Sequence, residues 1–196
     1  MTEKEKAKTG QLYNPNTDKE IGQEIMKCKD LCHQYNQLFP SQCQEKDKLM
    51  RSILGKTGNT FTIVSPFWCD YGYNIEIGNH FYANHNCVIL DGAKVKFGSN
   101  VFIAPNCCFA TAGHPLNVEQ RNEGLEYAYP ITIGNNVWIG AGVTVLAGVT
   151  IGDNTVIGAG SLVNKDVPAN VVAVGNPCKV LRKITEDDKL QYSFCE

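Results

Sequence analysis

The sequence predicts an all-β solenoid, a parallel β-helix of six-residue repeats, and two observations carry that prediction. From Ile131 to Val167 an aliphatic residue returns every six positions, as Ile133, Ile139, Val145, Ile151, Ile157 and Val163. The residue two places before each is compact (Ile131, Val137, Val143, Val149, Thr155, Ser161), and Gly134, Gly140, Gly152 and Gly158 follow four of the six. Six residues at about 100° each rotate such a series off any single face of a helix. A short strand can use the pattern, because alternate side chains point inward and a Gly-rich corner then turns the backbone. Stacked units bury one continuous column of side chains.

In chain order, residues 1–58 read as a helical segment. Ile21, Ile25, Cys28, Cys32, Tyr35 and Phe39 follow helical spacing and Pro40 stops the run. Ser41 reads as an N-cap, with Gln44 as its capping-box partner, opening a second helix through Leu49, Met50, Ile53 and Leu54. Gly55 and Gly58 end it. Two short amphipathic helices need a surface to cover, and the open first coil of the β-helix supplies one.

Residues 59–176 read as the β-helix itself. Looser units precede the regular ones: Ile75-x-Ile77, Phe81-x-Ala83, Cys87-x-Ile89, Val95-x-Phe97, Val101-x-Ile103 and Cys107-x-Phe109. The step from Ile89 to Phe97 is eight residues, so two extra residues around Asp91 to Ala93 are expected to form a small corner bulge. The step from Phe109 to Ile133 is twenty-four residues and contains a polar stretch, 115–130, without inward aliphatic positions. An insertion of this length is often functional, with a plain solvated loop as the alternative. Over residues 177–196, beyond the Gly175-Asn176-Pro177 turn, Thr185 with Asp187 and Asp188 behind it predicts a short C-terminal helix.

A chain of 196 residues suffices for one elongated domain. Net charge −2 and a pI near 6.1 give no reason to expect nucleic acid or an anionic membrane as partner. No apolar leader follows Met1 and no run approaches membrane-spanning length, so a cytosolic (cytoplasmic) protein is expected. The nine cysteines are odd in number and form no C-x-x-C pair, although Cys28 and Cys32 lie one helical turn apart. They read as small core residues of a reducing compartment, with no metal expected.

Several motifs together carry a resemblance. They are Gly10-Gln11-Leu12-Tyr13, Leu31-Cys32-x-x-Tyr35-Asn36, Cys69-Asp70-Tyr71-Gly72-x-Asn74-Ile75, Asn79-x-Phe81-Tyr82-Ala83-Asn84, Thr111-Ala112-Gly113-His114-Pro115, the run from Pro130 to Gly140, and Gly175-Asn176-Pro177-Cys178-Lys179-Val180. In this ordered set the chain resembles the maltose/galactoside O-acetyltransferases along essentially its whole length. The resemblance implies a left-handed β-helix, against the usual right-handed crossover rule. It also implies a homotrimer with acetyl-CoA in the clefts between subunits, and direct acetyl transfer to a sugar hydroxyl in a ternary complex.

That chemistry needs a base, since a hydroxyl is a weak nucleophile at neutral pH, and donors for the developing oxyanion. His114 stands where the repeat stops and the long loop leaves, and its side chain type titrates near working pH. By the resemblance, Glu126 orients or charge-stabilises His114, with a solvated loop carboxylate as the alternative. Asp70, Tyr82 and Asn84 match acceptor-pocket positions. Trp138 reads either as a wall against ligand or as an ordinary packed aromatic. Ala141 matches a position whose backbone N–H meets the thioester end, and Ala159, Asn164 and Lys165 match the pantetheine track. Lys179 and Arg182 match cations serving the phosphorylated end. The chain departs from the family twice. Asn14-Pro15-Asn16-Thr17-Asp18 stands where relatives often carry a sugar-contacting carboxylate, and Lys179 replaces an arginine seen in many of them.

Three other readings stay open at this level. Chloramphenicol- or streptogramin-type (xenobiotic) acetyltransferases share the fold. A carbonic-anhydrase-like zinc enzyme would need three histidines from neighbouring strands and subunits, for which His80, His85 and His114 are the candidates. A non-catalytic β-helix scaffold would need none of these residues.

Overall fold

Each unit forms a strand of two to four residues, and the strands stack in parallel into three faces of a prism. The computed structural model describes residues 1–192, and in it the chain is a left-handed parallel β-helix. The first face stacks Phe61–Ile63, Phe81–Ala83, Phe102–Ile103, Trp138–Ile139, Val156–Ile157 and Val171–Val174. The second stacks Phe67–Cys69, Cys87–Leu90, Cys108–Ala110, Thr144–Val145 and Leu162–Val163. The third stacks Ile75–Ile77, Val95–Phe97, Ile131–Ile133 and Thr150–Ile151.

The aliphatic series becomes three inward columns. Ala83, Ile103, Ile139, Ile157 and Ala173 pair in register on the first face. Cys69, Ile89, Phe109, Val145 and Val163 do so on the second, and Ile77, Phe97, Ile133 and Ile151 on the third. All of them are buried. Phe97 links the columns, meeting Phe81 and Phe109 edge-on at ring separations of 5.1 and 5.0 Å. The two polar members of the preceding series are buried with their hydroxyls satisfied: Thr155 donates to Pro168 O at 2.9 Å and Ser161 to Gly158 O at 2.6 Å.

The corners set the stacking distance. Between the third and first faces, Asn100, Asn136, Asn154 and Asn170 all adopt positive φ, and each of the first three donates its amide to the next at 2.9–3.0 Å. Asparagine tolerates the left-handed region better than most side chains, and the amide ladder adds a bond per coil. At Gly78 the need is space: a Cβ there would lie 2.6 Å from the Gly98 backbone in the next coil.

At the N-terminal end, α2 (Lys19–Gln37) and α3 (Cys43–Ile53) close the prism, while α1 (Glu3–Lys8) packs through Ala7 against Tyr13, Ile21 and Ala128. Cys28, Cys32, Tyr35, Met50 and Ile53 face the core. The Tyr35 hydroxyl donates to Ile63 O, while Asn36 donates to Phe67 O and accepts from Phe67 N at 3.0 and 2.9 Å. These side chains satisfy backbone groups that an open first coil would leave unpaired.

Four local expectations are corrected. Ser41 does not cap α3; the helix starts two residues later behind Gln42, whose side chain accepts instead from Phe39 N at 3.0 Å. Phe39 lies past the end of α2 and is exposed. The expected C-terminal helix is one 3₁₀ turn, Glu186–Asp188, preceded by an exposed strand, Lys179–Lys183, antiparallel to Val171–Val174. Residues 115–130 are not structureless: they hold α4 (Val118–Asn122), capped by Asn117, and the strand Tyr127–Ala128. No helix among the described residues is long and apolar enough to cross a membrane.

Candidate active site

The excursion leaves the second face after Ala110 and returns at Ile131 on the third. Its two ends pair antiparallel, Ala112 with Ala128 and Gly113 with Tyr127. Continuing that register one residue outward sets His114 opposite Glu126, and their side chains face each other with Nε2 4.0 Å from Oε1. A Cβ at Gly113 would meet the Tyr127 hydroxyl, so any larger residue there would displace the Tyr127 ring. The His114 imidazole is about half exposed, at 53 %, and its Nδ1 lies 3.1 Å from Leu125 O. A carbonyl can only accept, so that contact assigns the proton to Nδ1 and leaves a lone pair on Nε2.

Glu126 is fixed from behind. Tyr13 donates its hydroxyl to Glu126 Oε2 at 3.1 Å, and the two residues exchange backbone hydrogen bonds at 2.8 and 3.0 Å. Burial, followed by the Glu126 charge, pushes the Tyr13 phenol well above its ordinary range, so it stays a donor. Beside this pair lies a cavity of about 490 Å³ whose lining includes Asn16, Asp18, Lys29, Asp70, Tyr71 and Glu126. Burial raises the Asp70 pKa. The segment after Leu12-Tyr13 therefore does reach the cavity: Asn16 and Asp18 line it, Asp18 also accepting from Glu20 N at 2.9 Å as the cap of α2.

Beneath Asp70 sits a residue of the corner where the coil lengthens by two. Asp91 is fully buried, and its Oδ1 accepts from Asp70 N at 3.0 Å and Tyr71 N at 2.9 Å. Its Oδ2 is buried with no hydrogen-bond partner among the described residues, and burial pushes its pKa up to about 6. The signal for it was the two-residue lengthening at that corner, which turns the carboxylate inward to serve two backbone donors.

The remaining positions divide between two edges of the prism. Asn84, Ala141 and Ala159 stand on the edge between the first and second faces, tied coil to coil by bonds such as Gly160 N to Ala141 O at 2.8 Å. Both alanines are exposed, and neither donates its N–H to any acceptor among the described residues. Asp70, His114, Glu126, Asn164 and Lys165 lie on the edge between the second and third faces. Tyr82 and Trp138 point outward from the first face, bracketing Phe102 in register; Trp138 and Phe102 are 55 % and 52 % exposed. Trp138 is thus not a packed core aromatic. Among the described residues neither Tyr82 nor Asn84 hydrogen-bonds to His114 or Glu126.

Lys179 and Arg182 lie on the exposed final strand. Lys179 is exposed with no ion-pair partner among the described residues, but Arg182 is engaged, with Nη1 and Nη2 meeting the Asp188 carboxylate at 2.7 and 2.6 Å. That fork, with a Thr185 N–H, holds Asp188 at a pKa of about 2. The histidines do not gather within the chain: His80 Nδ1 contacts Thr60 Oγ1 at 3.1 Å and His85 Nδ1 contacts Ser65 O at 2.6 Å. Within one chain, then, His80, His85 and His114 make no three-histidine set.

Comparisons with known proteins agree with this architecture. Residues 6–58 match the maltose acetyltransferase hexapeptide capping motif, and residues 130–165 match the bacterial transferase hexapeptide (six repeats). A Saccharomyces cerevisiae protein whose name says only acetyltransferase is 56% identical over 185 residues, 94% of each chain. The galactoside O-acetyltransferase of Escherichia coli K12 is 43% identical over 96% of this chain and 92% of its own. A maltose O-acetyltransferase from Clostridium difficile 630 superposes with a TM-score of 0.93 at 46% identity, covering 95% of this chain and 99% of that one. A galactoside acetyltransferase in complex with coenzyme A gives 0.92 at 42% identity, covering 99% and 96%. Helical cap, repeat and full-length similarity place this chain in the maltose/galactoside O-acetyltransferase family of hexapeptide-repeat acetyltransferases.

Proposed function

We propose that the protein transfers the acetyl group of acetyl-CoA to a hydroxyl of a sugar, directly and without a covalent acetyl-enzyme. The observation that best supports this is the antiparallel base of the excursion, which opposes His114 and Glu126 and leaves Nε2 with a free lone pair. In this reading Nε2 takes the acceptor proton as the hydroxyl oxygen attacks the thioester carbonyl. The imidazolium, steadied by the Glu126 carboxylate, then returns the proton to the departing thiolate. The products are a sugar acetate ester and free CoA.

The split of residues between two edges favours a site shared by two subunits. His114, Glu126 and Asp70 on one chain would face Asn84 and the free Ala141 and Ala159 N–H groups on its neighbour. Such unpaired N–H groups suit the carbonyl and amide oxygens of the thioester and pantetheine arm. The outward stripe of Tyr82, Phe102 and Trp138 supports a homotrimer, because closure around a threefold axis covers apolar side chains and makes equivalent grooves. Light scattering should return a trimer mass; a monomer would overturn the shared site.

The cavity lined by Asp70 and Glu126 favours a polyhydroxylated acceptor, since charged acceptors of hydrogen bonds match hydroxyl groups. A panel of glucose, maltose, a thiogalactoside and chloramphenicol, followed by release of free CoA, tests this. Acetylation of the sugars is expected. Turnover of chloramphenicol alone would replace the sugar reading with a xenobiotic one.

A further inference from the structure

Where α2 meets the first strand of the second face, three sulfur atoms converge. Cys28 Sγ lies 3.5 Å and Cys32 Sγ 3.7 Å from Cys69 Sγ, and all three lie within 4.8 Å of one another. Each residue is buried, and no other group of three or more His, Cys, Asp or Glu side chains gathers this closely among the described residues. The proposed acetyl transfer does not use them.

Other core thiols here behave differently. Cys107, equally buried, donates to Ala104 O at 3.1 Å and Gly140 O at 3.2 Å, as an ordinary satisfied thiol does. In the cluster the sulfurs face one another instead: Cys69 Sγ meets both Cys28 Sγ and Cys32 Sγ, and Cys28 Sγ also reaches Cys69 O at 3.8 Å. The cluster is also built on rigid parts. Cys28 and Cys32 are one turn apart on α2, and Cys69 ends the strand Phe67–Cys69. A tetrahedral ion with metal–sulfur bonds of about 2.3 Å needs sulfur–sulfur edges of about 3.8 Å, close to the two distances found.

We propose that Cys28, Cys32 and Cys69 form a three-thiolate site for a soft divalent cation of the zinc class, which would staple the helical cap to the first coil. Thiolate sulfur selects such ions over hard ones. Loading makes three metal–sulfur bonds and breaks up to three S–H bonds, with the protons released to solvent, so binding strengthens as pH rises. The composition of the chain, with no C-x-x-C pair, gave no warning of the site, because its third ligand comes from a strand 37 residues beyond Cys32.

The full-length protein, reduced and stripped with a chelator, is incubated with excess Zn²⁺, dialysed and assayed for metal. Cys32→Ser and the exposed-thiol control Cys43→Ser are run beside it. About one zinc per chain is expected in the wild type and in Cys43→Ser, with retention cut by roughly tenfold or more in Cys32→Ser. Zinc loading should raise the wild-type Tm by roughly 5 °C. A second measurement covers a Cys32→Ser protein that fails to fold: Cd²⁺ titration of the wild type should give a thiolate-to-metal absorption band and protect Cys28, Cys32 and Cys69 from alkylation. Wild type without stoichiometric metal, a Cys32→Ser protein that keeps it, or unprotected thiols in the cadmium form would each overturn the site.

Discussion

Tyr13 and Glu126, 113 residues apart in the chain, hold each other by three hydrogen bonds, two between backbones and one from the Tyr13 hydroxyl to the Glu126 carboxylate. The N-terminal segment thereby clamps the loop that returns past His114. Removing only the hydroxyl in Tyr13→Phe should lower kcat by roughly fivefold to tenfold, the equivalent of one hydrogen bond worth about 1–1.4 kcal/mol. The KM for acetyl-CoA should not change. Steady-state kinetics with both substrates varied checks this, and an unchanged kcat would show that the hydroxyl does not position Glu126 for the reaction.

Replacing the proposed base, His114, should be far more costly. His114→Ala is expected to lose roughly 10²- to 10⁴-fold in kcat while binding acetyl-CoA normally. His33→Ala, on the polar side of α2, serves as the control with near-normal kinetics. A folded His114→Ala enzyme that keeps more than about a tenth of wild-type kcat would refute the assignment.

The final strand makes a two-sided test. Lys179→Ala with Arg182→Ala should raise the KM for acetyl-CoA roughly tenfold with kcat at saturation little changed, because remote charge contacts supply mostly uniform binding. Asp188→Asn frees the Arg182 guanidinium from its partner. It should lower that KM a few-fold at low salt, with the gain fading as salt screens the charge. Identical KM values in all three proteins would place the phosphates elsewhere.

Asp91 should leave a mark on the pH dependence of stability. Its folded pKa of about 6 exceeds the unfolded carboxylate value of about 3.9, so between those values the folded state binds more protons than the unfolded one. Its contribution is then greatest below about pH 4, is lost as pH rises, and is gone above about pH 6. Going from pH 7 to pH 5 should therefore stabilise the wild type relative to Asp91→Asn by on the order of 1 kcal/mol. Asparagine keeps the oxygen that accepts from Asp70 and Tyr71. Urea unfolding of both proteins at the two pH values measures the difference, and parallel shifts would remove Asp91 as its source.

The repeat was legible because inward positions keep a fixed period whatever the side chain: Thr155 and Ser161 occupy core positions as faithfully as Val137 does. The edge shared by Ala141 and Ala159 follows from the same arithmetic, one coil apart. What escaped was decided by partners distant in sequence. α1 has a single buried side chain, Ala7, so no apolar stripe announces it. Asp91 looked like a corner residue until two backbone N–H groups above it required an acceptor. Arg182 looked free because Asp188 reaches it only through the turn after the last strand. The opposition of His114 and Glu126 depended on the register of a two-residue pairing too short for any periodicity to show.

The 111–130 excursion starts and ends on strands that take their register from the coils below. Cys108–Ala110 lies over Val88, Ile89 and Leu90, and Ile131–Ile133 lies over Val95, Lys96 and Phe97. Between them only the base is held by burial, through Thr111, Pro115 and Ala128, while residues 116–124 reach no buried position. The length of the excursion beyond its paired base is not fixed by the register of the coils, just as the two extra residues at Asp91–Ala93 leave the later units in phase. The tip of the excursion is therefore the part of this chain where insertions and deletions cost the coils least.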